Sequence, residues 1–298
     1  MMLTRNTVLF LVTSRCLPLG AVDASLDYEV FVASTGTLSV RDDQIARYTP
    51  DGFPQGAIDL PNFETPLGLT TDGTDLFAIV GDRLNHYTTS GTLRGTIAAD
   101  FTSTPVTLQT DPFGNFFVTD TISSSVFKLS PLGDVLLELT NLDRAGGIIG
   151  DAAGNIYVSV SRAINVYDSS GNFLDAISTG FNFNSEVVID YAGERLFHAA
   201  ENAMLQTYDL SSGTPVFLDE FAIPTGGISL AMTYDPNTDH LFVGGAFSAY
   251  EITTDGQLVQ QYARDQVGWG VVAIPVPEPG YAGVWLTLFA LVGGVRRR

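Results

Sequence analysis

One short turn recurs six times along the chain at a nearly constant spacing. Each copy is an aromatic or aliphatic residue, three or four mostly small or polar residues and a glycine, and the copies begin at Tyr48, Tyr87, Leu129, Tyr167, Tyr208 and Ile252. The steps between them are 39, 42, 38, 41 and 44 residues. A period near 40 residues that is built from short strands has the length of one four-stranded β-propeller blade. Six copies therefore predict six blades.

Within a unit, a small apolar strand leads into an Asp-led turn and then into a β-branched and aromatic strand, as in VTLQTDPFGNFFVTD and GIIGDAAGNIYVSV. Long stripes with a helical period of 3.6 residues are absent, which favours an all-β fold. We expect the turn carboxylates to accept hydrogen bonds from the backbone two residues on. These are Asp72, Asp111, Asp151, Asp190 and Asp235. Gly73, Gly114, Gly154 and Gly193 are expected to supply positive φ angles in the same turns.

The first blade lacks an innermost strand of its own. The segment SLDYEVFVAST resembles the second strand of later units, and nothing like an inner strand precedes it. VGWGVVAIP, Val267 to Pro275, has the size and spacing of an inner strand. We predict that it completes the first blade, because joining the two ends of the ring removes open strand edges. The predicted propeller spans residues 25–275.

The propeller segment is strongly acidic. The whole chain has 14 Lys and Arg against 33 Asp and Glu, a net charge of −19. Residues 25–279 carry 9 of these cations and 32 of the anions, a net charge of −23. Such a body repels phosphate backbones, which excludes nucleic acid as a partner. The single cysteine, Cys16, lies in the leader segment, so no disulfide is expected in the propeller.

Two units resemble NHL repeats. The first, DPFGNFFVTDTISSSVFKLSPLG, matches at Asp111, Gly114, Asn115, Val118, Asp120 and Val126. The second, DAAGNIYVSVSRAINVYDSSGNFL, matches at Asp151, Gly154, Asn155, Tyr157 and Val158. The resemblance implies a six-bladed NHL-like β-propeller. It leaves the ligand open, because that family mostly binds proteins or nucleic acids and also includes related enzymes, and a fold does not fix a function.

The end of the chain differs in character from the propeller. After Pro277, Glu278 and Pro279 comes an uncharged apolar run, Tyr281 to Val295, and then Arg296, Arg297 and Arg298. The run is shorter than the roughly 20 residues of a comfortable span, but flanking arginines can compensate by snorkelling. It has no polar stripe that would suit a helix on a soluble core. We predict a short C-terminal transmembrane helix with its arginines on the cytoplasmic side.

This order of features, in residues 276–298, resembles the PEP-CTERM sorting signal of Gram-negative bacteria. Pro277, Glu278 and Pro279 match the motif, and Arg296, Arg297 and Arg298 match its basic end. The resemblance implies an exosortase-type protease as a processing partner. It also implies transient anchoring in the inner membrane, followed by transfer to the cell surface or to exopolysaccharide.

Residues 1–24 have some of the features of an export signal. Arg5 precedes the apolar run Val8 to Val12, and Ala21 and Ala24 could form a cleavage site. Arg15 interrupts the apolar stretch early. The alternative is a disordered cytoplasmic extension.

The sequence offers little support for catalysis. A lactonase or other hydrolase of this shape would hold a metal in the central channel with oxygen ligands from several inner strands, and only Glu186 brings a carboxylate near the axis. The three histidines, His86, His198 and His240, fall in separate units without metal-ligand spacing. We expect no cofactor. Weak surface calcium at the Asp-led turns stays open, although turn capping is favoured.

Loops that enter and leave the inner strands are the usual binding sites of such rings. The segment GFNFNSE offers Phe181 and Phe183 to stack on sugar rings, with Asn182, Asn184 and Glu186 to bind hydroxyls. Packing of the phenylalanines between blades is the alternative. Asp143 and Arg144, in NLDRAGG, are further candidate ligand-binding residues, and the connection from Ser34 to Asp43 is another option.

These patterns favour an exported, non-catalytic binding or structural module of the cell surface, with exopolysaccharide or another exported protein as its partner. The alternative is a secreted lactonase-type enzyme.

Overall fold

The computed structural model describes residues 28–34, 43–60, 64–98, 101, 105–182, 184–200, 203–223, 229–264 and 267–276, with only the backbone described at 184, 185, 229, 230 and 269. The predicted leader, the transmembrane helix and the sorting residues lie outside these ranges. Among the residues that are described, no helix is long and apolar enough to cross a membrane.

The described chain forms six antiparallel four-stranded sheets. Blade 1 contains β1 (Tyr28–Ser34), β2 (Gln44–Tyr48), β3 (Pro54–Asp59) and β24 (Gly268–Pro275). Blade 2 contains β4 (Pro66–Thr71), β5 (Leu76–Val80), β6 (Arg83–Tyr87) and β7 (Leu93–Ala98). Blade 3 contains β8 (Thr107–Thr110), β9 (Phe116–Asp120), β10 (Ser125–Leu129) and β11 (Val135–Leu139). The sheet order confirms the predicted six-bladed, all-β propeller.

The other three blades follow the same order from the inner to the outer strand. Blade 4 contains β12 (Ile148–Gly150), β13 (Ile156–Val160), β14 (Ala163–Tyr167) and β15 (Phe173–Ser178). Blade 5 contains β16 (Asn184–Asp190), β17 (Arg195–Ala200), β18 (Met204–Asp209) and β19 (Val216–Ala222). Blade 6 contains β20 (Ser229–Asp235), β21 (His240–Gly245), β22 (Ala249–Thr253) and β23 (Leu258–Tyr262).

The last strand closes the ring as predicted. β24 lies antiparallel to β1, with Val271 opposite Val32 and Val272 opposite Phe31. All four of these side chains are buried. The first blade is therefore assembled from both ends of the propeller, and its inner edge is covered.

The repeated turn glycines lie between the third and fourth strands of each blade. All six have positive φ: Gly52, Gly91, Gly133, Gly171, Gly213 and Gly256. At five of them an added Cβ would also contact the outer strand of the preceding blade, as at Gly133 against Ile97. Gly213 is the exception, with open space around it. The recurring glycine thus serves both the turn and the contact between blades.

The predicted positive φ at Gly193 is wrong. Asp190 pairs with Arg195, five residues on, whereas the equivalent aspartates of blades 3 and 4 bond to the asparagine four residues on. Counted from the aspartate, the turn of blade 5 therefore has one more residue than those of blades 3 and 4, where Gly114 and Gly154 have the predicted geometry. The left-handed position falls instead on Glu194, with φ of 51°. A Cβ at Gly193 would collide with the Asp190 carboxylate, so this glycine is needed for space rather than for its φ.

Most of the core consists of apolar side chains between adjacent blades. The seam where blade 6 meets blade 1, which we call the closing seam, also contains a buried carboxylate, Glu251. Its oxygens lie 2.8 Å from the Tyr28 hydroxyl, 2.6 Å from the Tyr262 hydroxyl and 2.7 Å from His240 Nδ1. Tyr28 comes from blade 1 and the other three residues from blade 6, so the network joins the two blades.

Candidate functional site

A cavity of about 860 Å³ lies on the axis of the ring. It occupies the end where the inner strands lead into the Asp-led turns, which we call the turn face. All six inner strands contribute to its wall: β4 through Thr70, β8 through Gln109, β12 through Ile149, β16 through Val188, β20 through Thr233 and β24 through Val272. This volume is at the upper end of the range for small-molecule binding pockets.

The cavity wall is largely apolar and aromatic near its mouth. Phe77 and Phe116 lie in the wall with their ring centres 5.0 Å apart, and Tyr191 and Tyr234 line it from the other side. Phe113, on the turn of blade 3, stands at the mouth with 66% of its surface exposed. Exposed aromatic side chains at the mouth of a pocket offer faces for stacking and for cations.

The polar groups of the inner wall are already bonded to other blades. Thr70 Oγ1 lies 3.1 Å from Thr110 Oγ1, and Thr233 Oγ1 donates to the Val271 carbonyl at 2.7 Å. Gln109 Nε2 donates across the axis to the Met232 carbonyl at 2.7 Å. The inner wall therefore offers few free hydrogen-bonding groups to a ligand.

The turn aspartates at the mouth are bonded in the same way to their own turns, as the sequence predicts. Asp111 Oδ1 accepts from the amides of Phe113 and Asn115, both at 2.9 Å, and its Oδ2 accepts from Asn115 Nδ2 at 2.7 Å. Asp235 accepts from the backbone and side chains of Asn237 and Thr238. These carboxylates therefore cap their own turns.

Asp190 is the one mouth carboxylate with an arginine partner among the described residues. Arg195 donates to Asp190 Oδ2 through Nε at 2.9 Å and Nη2 at 2.7 Å, and it reaches Asp239 of blade 6 at 2.7 Å. Burial raises the pKa of Asp190, but the hydrogen bonds from Gly193 and Arg195 outweigh it, so the pKa is lowered overall. Asp190 therefore stays ionised.

The mouth carries an uncompensated negative charge. Asp72, Asp111, Asp190 and Asp235 line it, and no Lys or Arg is among the described lining residues. Within the described ranges, no ion pair reaches Asp72, Asp111 or Asp235. Acidic groups around an apolar cavity focus a negative potential into it.

Glu186 lies deeper in the ring, on the inner strand of blade 5. Its side chain is 1% exposed, and Oε1 lies beside Gly147, where a Cβ would displace it. Burial raises the pKa of Glu186 well above its usual value, although hydrogen bonds from Val187 and Gln109 partly offset this. In the described part of the chain, Oε1 has no hydrogen-bond partner. Glu186 lies on the inner strand β16, but it is not among the described residues that line the cavity.

The other predicted ligand-binding residues lie at the opposite end of the inner strands. The Phe181 amide lies 3.4 Å from Thr179 Oγ1, and Asn182 is exposed on the connection into β16. Phe183 and the side chain of Asn184 lie outside the described residues. Asp143 and Arg144 are exposed on the connection into β12, next to the Gly147 that contacts Glu186. A ligand site at that end stays a prediction.

Sequence inspection missed the cavity itself. Its lining residues come from all six blades, and each blade supplies only a few of them. The Asp-led turns were predicted as turns, and their convergence around the axis follows once the blades are closed into a ring. Among the described residues, no group of three or more His, Cys, Asp or Glu is placed to hold a metal ion.

Comparisons with known proteins agree on the fold. No protein-family profile and no curated protein matches this chain. A protein of unknown function from Bacteroides caccae has a similar structure, with a TM-score of 0.64 at 15% identity over 84% of this chain and 99% of that one. A chain in a nidogen/laminin complex has a TM-score of 0.65 at 14% identity, and the match covers 83% of this chain and 98% of that one. At such low sequence identities, the similarity supports the fold, a six-bladed β-propeller, and does not indicate a function.

A third similar structure, a functionally unknown protein from Desulfotomaculum acetoxidans DSM 771, has a TM-score of 0.57 at 14% identity. It covers 83% of this chain and 90% of its own.

Proposed function

We propose that this protein is an exported, non-catalytic binding or structural module of the cell surface or exopolysaccharide of a Gram-negative bacterium. The axial cavity is the observation that carries the binding role. Its wall is apolar and aromatic, and the polar groups described above are engaged in turns and contacts between blades. Such a surface suits a ligand held by contact and charge.

The sorting segment supports export. Pro277, Glu278 and Pro279, the apolar run and the three terminal arginines stand in the order of a PEP-CTERM signal. An exosortase-type protease is the processing partner in this proposal, and the tail anchors the protein in the inner membrane until it is cleaved. The acidic body agrees with a partner other than nucleic acid.

Geometry ranks the lactonase-type alternative below the binding role. That activity needs several oxygen ligands converging on one metal in the channel. Among the described residues, Glu186 is the carboxylate that an inner strand carries ahead of its turn, and the equivalent positions of the two adjacent blades are Gly147 and Ala231. The aspartates at the cavity mouth do not supply the missing ligands, because no three acidic, histidine or cysteine side chains in the described ranges are placed to hold one metal ion.

The export proposal is tested by fractionating a Gram-negative host that contains an exosortase. The wild-type chain should be recovered in the matrix or surface fraction without its tail, as judged by intact mass. A variant with Pro277, Glu278 and Pro279 all changed to alanine should stay in the inner membrane at full length. Recovery of the wild-type chain in the cytoplasm would overturn the proposal.

Binding is tested by pull-down from the extracellular matrix and on a glycan array, with hydrolysis of lactones measured in parallel. Specific capture of a matrix protein or glycan without turnover supports the binding role. Metal-dependent hydrolysis of a lactone, lost in Glu186→Gln, would instead establish the enzymatic alternative.

A further inference from the structure

The axial cavity is poorly suited to a sugar. A saccharide offers many hydroxyls and needs many unbonded donors and acceptors around it, because buried polar groups without partners are costly. In this wall, Thr70, Thr233 and Gln109 are bonded to other blades, and Asp111 uses both oxygens within its own turn. Few of these groups remain to satisfy sugar hydroxyls.

The same cavity is well suited to a cation on an apolar stem. The wall provides aliphatic and aromatic surface, and the mouth carries the negative charge of Asp72, Asp111 and Asp235, which no described cation pairs. Phe113 presents an exposed ring at the entrance. Lysine and arginine side chains bury an aliphatic stem and keep a charged head near carboxylates or over aromatic faces.

We propose that the cavity binds a basic segment of another exported protein, with a lysine or arginine side chain inserted through the mouth. This inference rests on the proposed binding function and names its partner class. Charge gives the specificity, since a neutral or acidic peptide of the same length gains nothing from the carboxylates. The apolar wall then contacts the stem of the inserted side chain.

The chain provides matched variants that separate the cavity from the general acidity of the protein. Asp168 caps a peripheral turn with the same bonds as Asp111, to an amide two residues on, an amide four residues on and an asparagine side chain. Asp111→Asn and Asp168→Asn therefore remove one charge and one equivalent bond each. Only Asp111→Asn changes the cavity.

A second pair adds a cation. Ala192 lines the cavity two residues after Asp190, and Ala153 is the exposed residue two positions after Asp151, outside the cavity. Ala192→Lys places an ammonium in the mouth, whereas Ala153→Lys adds the same charge elsewhere. A third pair is Phe113→Ala against Phe53→Ala, because Phe53 is equally exposed, at 65%, on another turn.

Binding is measured by fluorescence anisotropy with labelled deca-lysine, deca-arginine, deca-serine and deca-glutamate, and with unlabelled glucan and glucosamine hexasaccharides as competitors. The protein is the full chain with alanine at Arg296, Arg297 and Arg298, so that its own basic end cannot compete. Ala192→Lys and Asp111→Asn should each weaken binding of the basic peptides by about tenfold, and Phe113→Ala by about fivefold. In each control variant, the affinity for the basic peptides should stay within about twofold of the wild-type value.

Equal losses in the cavity variants and their controls would overturn the inference, since they would indicate general surface attraction. It would also fall if the basic peptides do not bind, or if a hexasaccharide displaces them from the cavity at lower concentration. Glycan binding would leave the proposed function intact, whereas cytoplasmic location of the protein would overturn that function regardless of the peptide result. If Asp111→Asn fails to fold, the Ala192 and Ala153 pair decides the question.

Discussion

The closing seam and the two seams that flank blade 4 hold their blades together by different means. Around blade 4, one continuous apolar cluster runs from Phe117 of blade 3 through Tyr157 to Leu196 of blade 5. The closing seam has a smaller apolar cluster together with the Glu251 network. Consecutive blades can rely on packing because the chain already holds them in order. At the closing seam the chain connects blade 6 to blade 1 only through β24, and β1 has no such link to blade 6.

Directional bonds suit the closing seam because they fix the register of the last blade against the first. Tyr28 and Tyr262 each reach Glu251, and Tyr262 also lies 3.0 Å from the Pro50 carbonyl of blade 1. Burial raises the pKa of both tyrosines, so they keep their protons. A buried carboxylate is tolerated only with such partners. The network thus positions β1, the strand of blade 1 on this seam that the chain does not connect to blade 6.

Removal of the closing strand should have the largest effect. Deletion of Val267 to Pro275 takes away the partner of β1 and the buried side chains of Val271, Val272 and Ile274. The free energy of unfolding should fall by more than about 5 kcal/mol, which is comparable to the whole stability of a domain. Calorimetry should show no cooperative transition near that of the wild type, and light scattering should show aggregation. An unchanged melting temperature would contradict the closure.

Loss of the buried carboxylate should come next. Glu251→Ala leaves the Tyr28 hydroxyl and the His240 ring without this partner and the Tyr262 hydroxyl with only the Pro50 carbonyl. The expected cost is about 4 kcal/mol in the free energy of unfolding. The matched change in an apolar seam, Ile156→Val, should cost about 1 kcal/mol. Urea unfolding of both variants measures the difference. Equal costs would mean that the network adds nothing to the closing seam.

A buried histidine within blade 5 should make stability depend on pH. Burial lowers the pKa of His198 from 6.5 to about 4, with a hydrogen bond to Gln206 partly offsetting it. Between pH 6.5 and 4, the His198 imidazole therefore binds a proton in the unfolded chain but stays neutral in the folded chain. Stability is full above pH 6.5 and falls by about 3 kcal/mol as the pH drops towards 4. The difference in unfolding free energy between His198→Gln and the wild type should change over this window, and a constant difference would refute it.

The turn glycines provide the smallest and most local test. Gly133→Ala combines an unfavourable positive φ with a clash against the Ile97 carbonyl, whereas Gly213→Ala has the φ penalty alone. We expect a loss of about 3 kcal/mol for the first and about 1 kcal/mol for the second. Thermal unfolding of the two variants measures the contribution of contact between blades. Similar losses would assign the whole effect to backbone conformation.

Much of the fold follows from the repeats, because each turn is specified by residues adjacent in the sequence. The recurring glycine and the Asp-led turn are local patterns. The closing strand could be predicted because the first unit lacks an inner strand and the C-terminal segment supplies one. Gly193 was mispredicted because one extra residue in the turn moves the left-handed position to Glu194, a shift that the D-x-x-G spacing does not reveal. Local pattern identifies the turn and leaves its exact geometry open.

The axial cavity could not be predicted in the same way. Thr70 and Val272 are separated by most of the chain, and they meet only because the ring closes. The segment GFNFNSE is a candidate binding site because of its local composition, and local composition does not indicate which end of the ring contains the cavity. Convergence of distant residues is a property of the closed ring.

The exit point of the chain has a consequence for the timing of recognition. Pro275 ends the closing strand and itself lines the cavity, so whatever follows it departs beside the entrance. Under the export proposal, a protein still tethered by its tail would present this entrance to the bilayer, and excision of the tail would turn it towards the outside. The cleavage that releases the protein would then also uncover its binding site, which would keep the protein from capturing a partner before it is delivered.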